Sequence, residues 1–238
     1  VLFRSIVGGQ EFPALIWRDP SGEEVDQVTA AAQPLLRFGA PSPTPVKART
    51  TAWRRRPSSL TEGPALPAPP QVVPLGPAHG AGRAQTATER GTVWHRAFRV
   101  MASRPDLADR LPAATGLDAA TLAAITGQVA ALKEWLAREG YPDLHLEVPI
   151  HVTHTDGSDT VGVLDAVAMG PGRMLVIDHK TGPAPDPKAR FATYWPQLAA
   201  YADALRLTFP AHQLRGVAIH WMNEGSLSFL PLEPEVVA

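Results

Sequence analysis

The stretch from Gly162 to Gly182 constrains the fold most, and it reads GVLDAVAMGPGRMLVIDHKTG. Two apolar runs flank a Gly-Pro-Gly turn, and this pattern predicts a β-hairpin. Asp165 interrupts the first run, while Asp178 and Lys180 close the second. Strands disfavour Asp, and charged side chains are rarely buried unless they are paired or bind a metal. We therefore expect this hairpin to carry a site.

The length of the turn decides whether the three polar residues meet. A two-residue turn pairs Gly170 with Arg173, and counting back along both strands then sets Asp165 opposite Asp178. Facing Cβ atoms lie roughly 4.5–5.5 Å apart, and Lys180 shares the face of Asp178 because side chains alternate along a strand. A three-residue turn would send the two aspartates to opposite faces.

Two close carboxylates need either a proton or a cation between them. A magnesium ion suits such a site, because it binds one or two carboxylates together with substrate phosphates. Lys180 could then orient or deprotonate a water, or neutralise charge developing on a phosphate. A buried salt bridge between Lys180 and either aspartate explains the same residues, so the hairpin alone leaves both interpretations open.

Composition excludes several classes of site. The 238 residues suffice for one large domain or two small ones, and the formal charge of −1 offers no global attraction to nucleic acid. The chain has no cysteine, which rules out disulfides, thiolate nucleophiles and iron–sulfur clusters and fits a cytoplasmic protein. No apolar run approaches the length needed to cross a membrane. The first residue is not Met, so we expect a fragment that lacks an upstream part.

Composition also suggests where the domains lie. Ten prolines fall between Pro41 and Pro77, which blocks helices and central strands and predicts a semi-rigid linker over residues 41–84. Within it, Trp53–Arg56 is a small basic cluster that could contact a nucleic-acid backbone, although a solvated charge run is the favoured interpretation. We expect residues 1–40, with a helix around residues 24–38, to be the remnant of an upstream region, and residues 85–238 to form the main domain.

Apolar periodicity predicts three helices in the main domain. The first covers residues 89–103 and carries His95 off its apolar face. The second covers residues 118–139, with Asp118 as its N-cap and Gly140 at its end. The third covers residues 194–207 and would set Tyr194, Gln197 and Tyr201 on one face, by their i, i+3, i+7 spacing.

Strands account for most of the rest of this domain. They begin at Leu144, and Glu147 lies among their apolar residues, either as an outer member of the acidic cluster or as an exposed strand residue. Two final strands, LRGVAIHWM and LSFLPL, should pair around a turn at residues 223–225.

Four motifs in this order resemble the RecB-type nucleases of the PD-(D/E)XK superfamily, and most of all the C-terminal nuclease domain of AddA-type helicase–nucleases. They cover about 110 residues: GTVWHR with His95, Gly162-x-x-Asp165, Asp178-His179-Lys180-Thr181-Gly182, and Tyr194-x-x-Gln197-x-x-x-Tyr201. The Pro-rich stretch before His95 also looks like the connector between helicase and nuclease in AddA-type proteins. By this resemblance residues 1–40 would be the end of a helicase region.

The resemblance implies a restriction-endonuclease-like α/β fold, with a mixed central β-sheet flanked by helices. It implies a Mg2+-dependent DNA nuclease, with Mn2+ as a substitute, acting as an exonuclease in double-strand-break repair and recombination. Its partners would be DNA and a second, AddB-like subunit near the bacterial nucleoid. The metal ligands would be His95, Asp165, Asp178 and the backbone carbonyl of His179; Lys180 would be catalytic beside the two aspartates, and Gln197, Tyr201, Tyr194 and Glu147 would support the site or contact substrate.

Two other interpretations remain. One is a catalytically inactive member of the same fold that binds DNA or docks a subunit, which would tolerate the loss of an acid or the lysine. The other is a salt-bridged structural hairpin in an unrelated α/β domain, and it leaves the Tyr-Gln-Tyr helix unexplained.

Overall fold

The structure is a computed structural model that describes the backbone of residues 4–7, 10–13, 54–78 and 87–232, with side chains from residues 54–78 and 91–232. The chain divides into two compact units, Val1–Arg49 and Thr50–Ala238. In the first unit, strands β1 (Arg4–Val7) and β2 (Gln10–Pro13) pair antiparallel. The helix predicted around residues 24–38 lies outside the described residues.

Seven strands form one mixed sheet among the described residues of the second unit. They lie side by side in the order β5-β6-β7-β8-β9-β4, and the short β3 adds in parallel to the start of β6. The β7–β8 pair is also parallel, and the other pairs are antiparallel. The strands are β3 (Arg54–Arg55), β4 (Gln71–Pro74), β5 (Asp143–Thr153), β6 (Asp159–Gly170), β7 (Arg173–Lys180), β8 (Gln213–Trp221) and β9 (Ser226–Pro231).

Helices cover both faces of this sheet. One apolar core packs between the sheet and helices α1 (Ala87–Ser103), α2 (Leu111–Thr115) and α3 (Ala119–Arg138). A second packs on α4 (Pro187–Thr208). The predicted mixed central sheet flanked by helices is confirmed. In the part of the chain described, no helix is both long and apolar enough to cross a membrane.

The helix boundaries follow their capping residues. The predicted N-cap of α3 is confirmed, because the Asp118 carboxylate accepts a hydrogen bond from the Thr121 N–H at 2.7 Å. The predicted start of α4 was wrong: the helix begins at Pro187, two turns before residue 194. Asp186 caps it by accepting from the N–H groups of the next turn, and proline suits the first helical position.

The register predicted for the β6–β7 hairpin is confirmed along its ladder. Gly170 pairs with Arg173, and the pairing continues without a slip to Ala166 and Ile177. The ladder stops there, one pair before the two aspartates. Gly172 has a φ of +66° and follows Pro171, and proline followed by a glycine with positive φ is the pattern of a type II turn.

Strands β5 and β6 exchange faces of the sheet at one point. On β5, Leu146 packs on the first core and Val148 on the second, although residues two apart normally share a face. On β6 the same exchange separates Leu164, in the second core, from Ala166, in the first. Glu147 has a φ of +53° at this point of β5, a conformation that non-glycine residues rarely adopt. Asp165 lies at the corresponding point of β6, so we refer to this place as the face crossing.

The described part of the proline-rich stretch packs within the second unit. Residues 54–64, which we call the strap, begin with the β3–β6 pairing and continue through a 3₁₀ turn at Pro57–Ser59. The Trp195 indole N–H donates to the Pro64 carbonyl at 2.9 Å, and Pro57 and Leu75 are buried. The predicted boundary of the main domain at residue 85 stays a prediction, and these contacts favour an earlier start.

Candidate active site

A pocket of about 410 Å³ opens where the hairpin, α1, α4 and the strap meet. Its floor is β6 and the end of β7, and its walls are one turn of each helix. Its lining combines carboxylates, cations, an amide and a phenol: Arg56, Ser58, His95, Val161, Gly162, Val163, Asp165, Asp178, Lys180, Gln197 and Tyr201.

Asp178, Lys180 and Gln197 form one polar cluster on the α4 side of the sheet. The Lys180 ammonium lies 2.6 Å from Oδ2 of Asp178 and donates to the Gln197 side-chain oxygen at 3.3 Å. The Gln197 amide donates to Oδ1 of Asp178 at 3.0 Å. The predicted shared face of Asp178 and Lys180 is therefore observed, and the amide joins both charges.

Asp178 is only 4% exposed, and burial raises the pKa of its carboxyl to about 6 despite the nearby lysine charge. The Lys180 ammonium, 2.6 Å away, is the partner of Oδ2 among the described residues. A carboxylate oxygen can accept more than one partner, so Oδ2 has capacity for a further one.

Asp165 joins the two sides of the sheet because it lies at the face crossing. One of its oxygens accepts from the His179 backbone N–H at 2.8 Å, and the other lies 3.6 Å from Nδ1 of His95 on α1. Burial opposes its ionisation, but His95 and the backbone N–H outweigh this and lower the pKa of Asp165 to about 2. Burial likewise opposes protonation of His95, and Asp165 nevertheless raises its pKa.

The two tyrosines of α4 flank the cluster. Tyr201 donates to the Val163 carbonyl at 3.0 Å, and burial raises its pKa to about 12, so the hydroxyl stays protonated. The ring of Tyr194 lies 4.7 Å below the Lys180 ammonium, close enough for a cation–π contact. Gly162 packs closely on the same helix, since a Cβ there would lie 3.2 Å from the Tyr201 ring and would require the ring to shift. The structure thus brings all three predicted residues of α4 to the hairpin.

The His179 side chain points away from this cluster, to the α3 side of the sheet. Its Nδ1 lies 3.0 Å from Nδ1 of His220, whose Nε2 lies 3.0 Å from the Gln128 oxygen. The Gln128 amide donates to the Met222 carbonyl, so its oxygen accepts from His220. A neutral His220 then accepts from His179, whose pKa burial lowers to about 3. The predicted role of the His179 carbonyl as a ligand stays a prediction.

Glu147 does not line the site pocket. It is exposed at the face crossing and lines a larger cavity of about 640 Å³ on the α1–α3 side, with Arg99 and Lys133. Of the two alternatives predicted for Glu147, the structure shows the exposed strand residue and not the outer member of the acidic cluster.

The predicted metal ligands fit a magnesium site in their chemistry. Asp165 and Asp178 offer hard oxygen ligands in one pocket, and the His95 imidazole lines the same pocket. Among the described residues, no three His, Asp or Glu side chains converge as a metal-binding group. Mg2+ needs no such group, because it keeps several waters and is bound through one or two carboxylates.

Sequence patterns missed two residues of this pocket. Arg56 and Ser58 of the strap line it together with the carboxylates. The signal was present in the basic cluster Trp53–Arg56, but composition cannot tell a docked extended segment from a solvated one. The buried partners of His179 were missed as well, because they come from distant elements.

Comparisons with known proteins give one family match. The model of the PD-(D/E)XK nuclease superfamily matches residues 75–235. Among solved structures, a candidate exonuclease from Eubacterium rectale is similar at 14% identity and a TM-score of 0.36, over 65% of this chain; this chain spans 61% of that one. The protein SSO0001 is similar at 18% identity and a TM-score of 0.29, over 65% of this chain and 72% of that one. No curated protein matches the sequence.

Proposed function

This chain belongs to the PD-(D/E)XK nuclease superfamily, and on that premise we propose that it is a metal-dependent deoxyribonuclease that hydrolyses phosphodiester bonds at the pocket of Asp165, Asp178 and Lys180. The observation that carries the proposal is the arrangement around Asp178. A buried carboxylate, an ammonium at 2.6 Å and an amide that contacts both line one open pocket. A merely structural salt bridge would not need to line an open pocket beside a second carboxylate, Asp165.

Asp165 and Asp178 would hold the metal, with His95 and the His179 carbonyl beside them. A bound Mg2+ supplies a Lewis acid for the phosphate and lowers the pKa of a bound water. Gln197 fixes the direction of the Asp178 carboxylate and of the Lys180 ammonium at once. Lys180 can then orient the attacking water or balance charge on the phosphate. Tyr194 and Tyr201 support Lys180 and β6 from α4.

The wider context is also a proposal. The order of the four motifs supports an AddA-like helicase–nuclease, in which this domain would act as an exonuclease on DNA ends during repair and recombination. Such a protein would work in the cytoplasm beside the chromosome, with an AddB-like second subunit. The main domain would cover residues 85–238 together with the strap and β4, which pairs with β9.

Cleavage of linear DNA by the full chain in Mg2+, or in Mn2+, tests the proposal. We expect Lys180→Ala and Asp178→Asn each to lower the cleavage rate by about 100-fold or more, since positioned acid–base groups contribute at least that much. The matched controls are Lys188→Ala and Asp203→Asn, which remove the same charges at exposed positions of α4. Thermal melting by circular dichroism checks that each variant folds.

Two results would overturn the proposal. One is no cleavage by the unchanged chain with either metal, and the other is cleavage by Lys180→Ala at the rate of Lys188→Ala.

An inactive DNA-binding or subunit-docking module is the second candidate, favoured by one observation. The Lys180 ammonium lies 2.6 Å from Asp178, so this carboxylate has a cationic partner without any metal. Such a module would bind linear DNA and leave it uncut in both metals. Retention of Asp165, Asp178 and Lys180 together counts against it.

A further inference from the structure

We infer that Arg56, on the strap, is a phosphate-binding residue of this site and contacts the sugar–phosphate backbone of the nucleic-acid substrate. The inference rests on the proposed function and adds to it a residue outside the four motifs. The carrying observation is that the strap brings Arg56 and Ser58 to the same pocket as Asp165, Asp178 and Lys180.

The backbone on both sides of Arg56 is fixed. The preceding residue, Arg55, pairs with Thr160 in the β3–β6 ladder, and its side chain lies 3.2 Å from Asp156. The following residue, Pro57, is buried and lies over Gly162, where an added Cβ would be 3.5 Å from the proline ring. The direction in which Arg56 leaves the strap is therefore set before any ligand binds. Because the backbone at Arg56 is already ordered, binding does not have to order this segment of the chain.

The rest of the strap is anchored on α4. Gly63 lies so close to Pro196 that a Cβ on it would be 2.9 Å from the proline Cα. The hydrogen bond from Trp195 to Pro64 fixes the next residue. Both contacts are one turn or less from Gln197, so the strap packs directly on the part of α4 that lines the pocket.

The other cations of the pocket already have acidic partners, which leaves Arg56 to bind a phosphate. Lys180 is matched by Asp178 at 2.6 Å, and His95 lies beside Asp165. Arg56 forms no ion pair with any residue whose side chain is described, and it is exposed. A strand of DNA brings one negative charge per nucleotide, and the planar guanidinium fork matches a phosphate in a bidentate manner. Ser58 can add a hydroxyl donor from the same turn.

The test compares two adjacent arginines of the strap. Binding of a fluorescein-labelled 20-nucleotide single strand is measured by anisotropy at several salt concentrations, on the full chain carrying Lys180→Ala so that the strand stays uncut. We expect Arg56→Gln to weaken binding about five- to tenfold, equally for a mixed sequence and for oligo-dT, and to lower the salt slope by about 0.7. Arg55→Gln removes the same charge beyond the pocket, and we expect it to change binding less than twofold.

Two further measurements separate a substrate contact from a structural role. Arg56→Lys should recover part of the binding, since it keeps the charge but loses the fork. Without Lys180→Ala, Arg56→Gln should raise the KM for cleavage more than it lowers kcat, and its melting temperature should match that of Arg55→Gln.

The outcomes separate the two proposals. If the chain cuts DNA but Arg56→Gln and Arg55→Gln weaken binding equally, the inference fails and the proposed function stands. A melting temperature lowered by Arg56→Gln alone, with unchanged binding, also overturns the inference. A chain that neither binds nor cuts DNA overturns both.

Discussion

Consecutive residues of β7 serve opposite faces of the sheet. Asp178 and Lys180 contact Gln197 on the α4 side. The His179 side chain between them contacts His220 on the α3 side, and His220 in turn contacts Gln128. The backbone that carries the two charged residues is thus held from the opposite side by a buried chain of hydrogen bonds. The hydrogen bond from the Gln128 amide to the Met222 carbonyl fixes the orientation of Gln128, which in turn determines the donor and acceptor roles of His220 and His179.

This series of hydrogen bonds predicts that Gln128→Leu lowers the stability of the fold. The substitution keeps the apolar packing of α3 but removes the hydrogen bonds that Gln128 makes with the Met222 carbonyl and with Nε2 of His220. We expect the free energy of unfolding to fall by about 1–3 kcal/mol, the cost of stranding buried polar groups. Urea denaturation measures it.

Gln71→Leu, at an exposed position of β4, is the control and should change the free energy by less than about 0.5 kcal/mol. Equal effects of the two substitutions would contradict this account of His179.

At the scale of elements, the face crossing gives the site its access to both helix layers. A regular β6 would turn Asp165 either to α1 or to α4. At the crossing it reaches His95 from α1 and also lines the pocket beside Gln197. The positive φ of Glu147 is the local cost of this geometry in β5.

The crossing predicts opposite behaviour for two substitutions at Glu147. Valine is disfavoured at positive φ, whereas glycine adopts it without steric cost. We expect Glu147→Val to be less stable than Glu147→Gly by about 1–2 kcal/mol, in the reverse of the usual preference of strands for valine. Urea denaturation of both variants measures the difference.

His145→Val and His145→Gly, at an exposed position of the same strand, provide the comparison. There the valine variant should be the more stable. The same order at both positions would show that the backbone at Glu147 is regular.

Sequence patterns predicted the elements that are determined by residues close together in the sequence. The hairpin register follows from its own turn, and α3 follows from Asp118 and an apolar stripe. The start of α4 was missed although its cause is also local, because prolines suggested a loop and outweighed the cap at Asp186. The face crossing and the docking of Arg56 could not be predicted, since each depends on pairing with residues far along the chain.

At the scale of the whole molecule, the proposed metal ligands come from three elements in two layers of the fold: α1, and the strands β6 and β7 of the sheet. An ion bound there would couple the stability of these elements. A ligand that binds only the folded state raises the free energy of unfolding. Asp165 is the residue that touches all of these parts, through His95 and the His179 N–H.

We therefore expect Mg2+ to stabilise the fold as a whole. At a tenfold excess over its dissociation constant, the ion adds about 1.4 kcal/mol, which corresponds to a rise of roughly 3–5 °C in melting temperature. EDTA should reverse the rise. Asp165→Asn should abolish it, while Asp203→Asn should keep it; a rise of the same size in both variants would place the ion elsewhere. Circular dichroism melting without DNA gives the measurement independently of cleavage.

The face crossing has a consequence for self-association. Strand β5 lies at the edge of the described sheet and pairs there with β6 alone, so its outer backbone groups are open to another strand. Continuous edges of this kind invite one molecule to add to the next. The reversed backbone at Glu147 interrupts the row of donors and acceptors, and Pro149, two residues on, has no N–H to offer. The irregularity that places Asp165 in the pocket thus also makes this edge of the described sheet a poorer template for another strand.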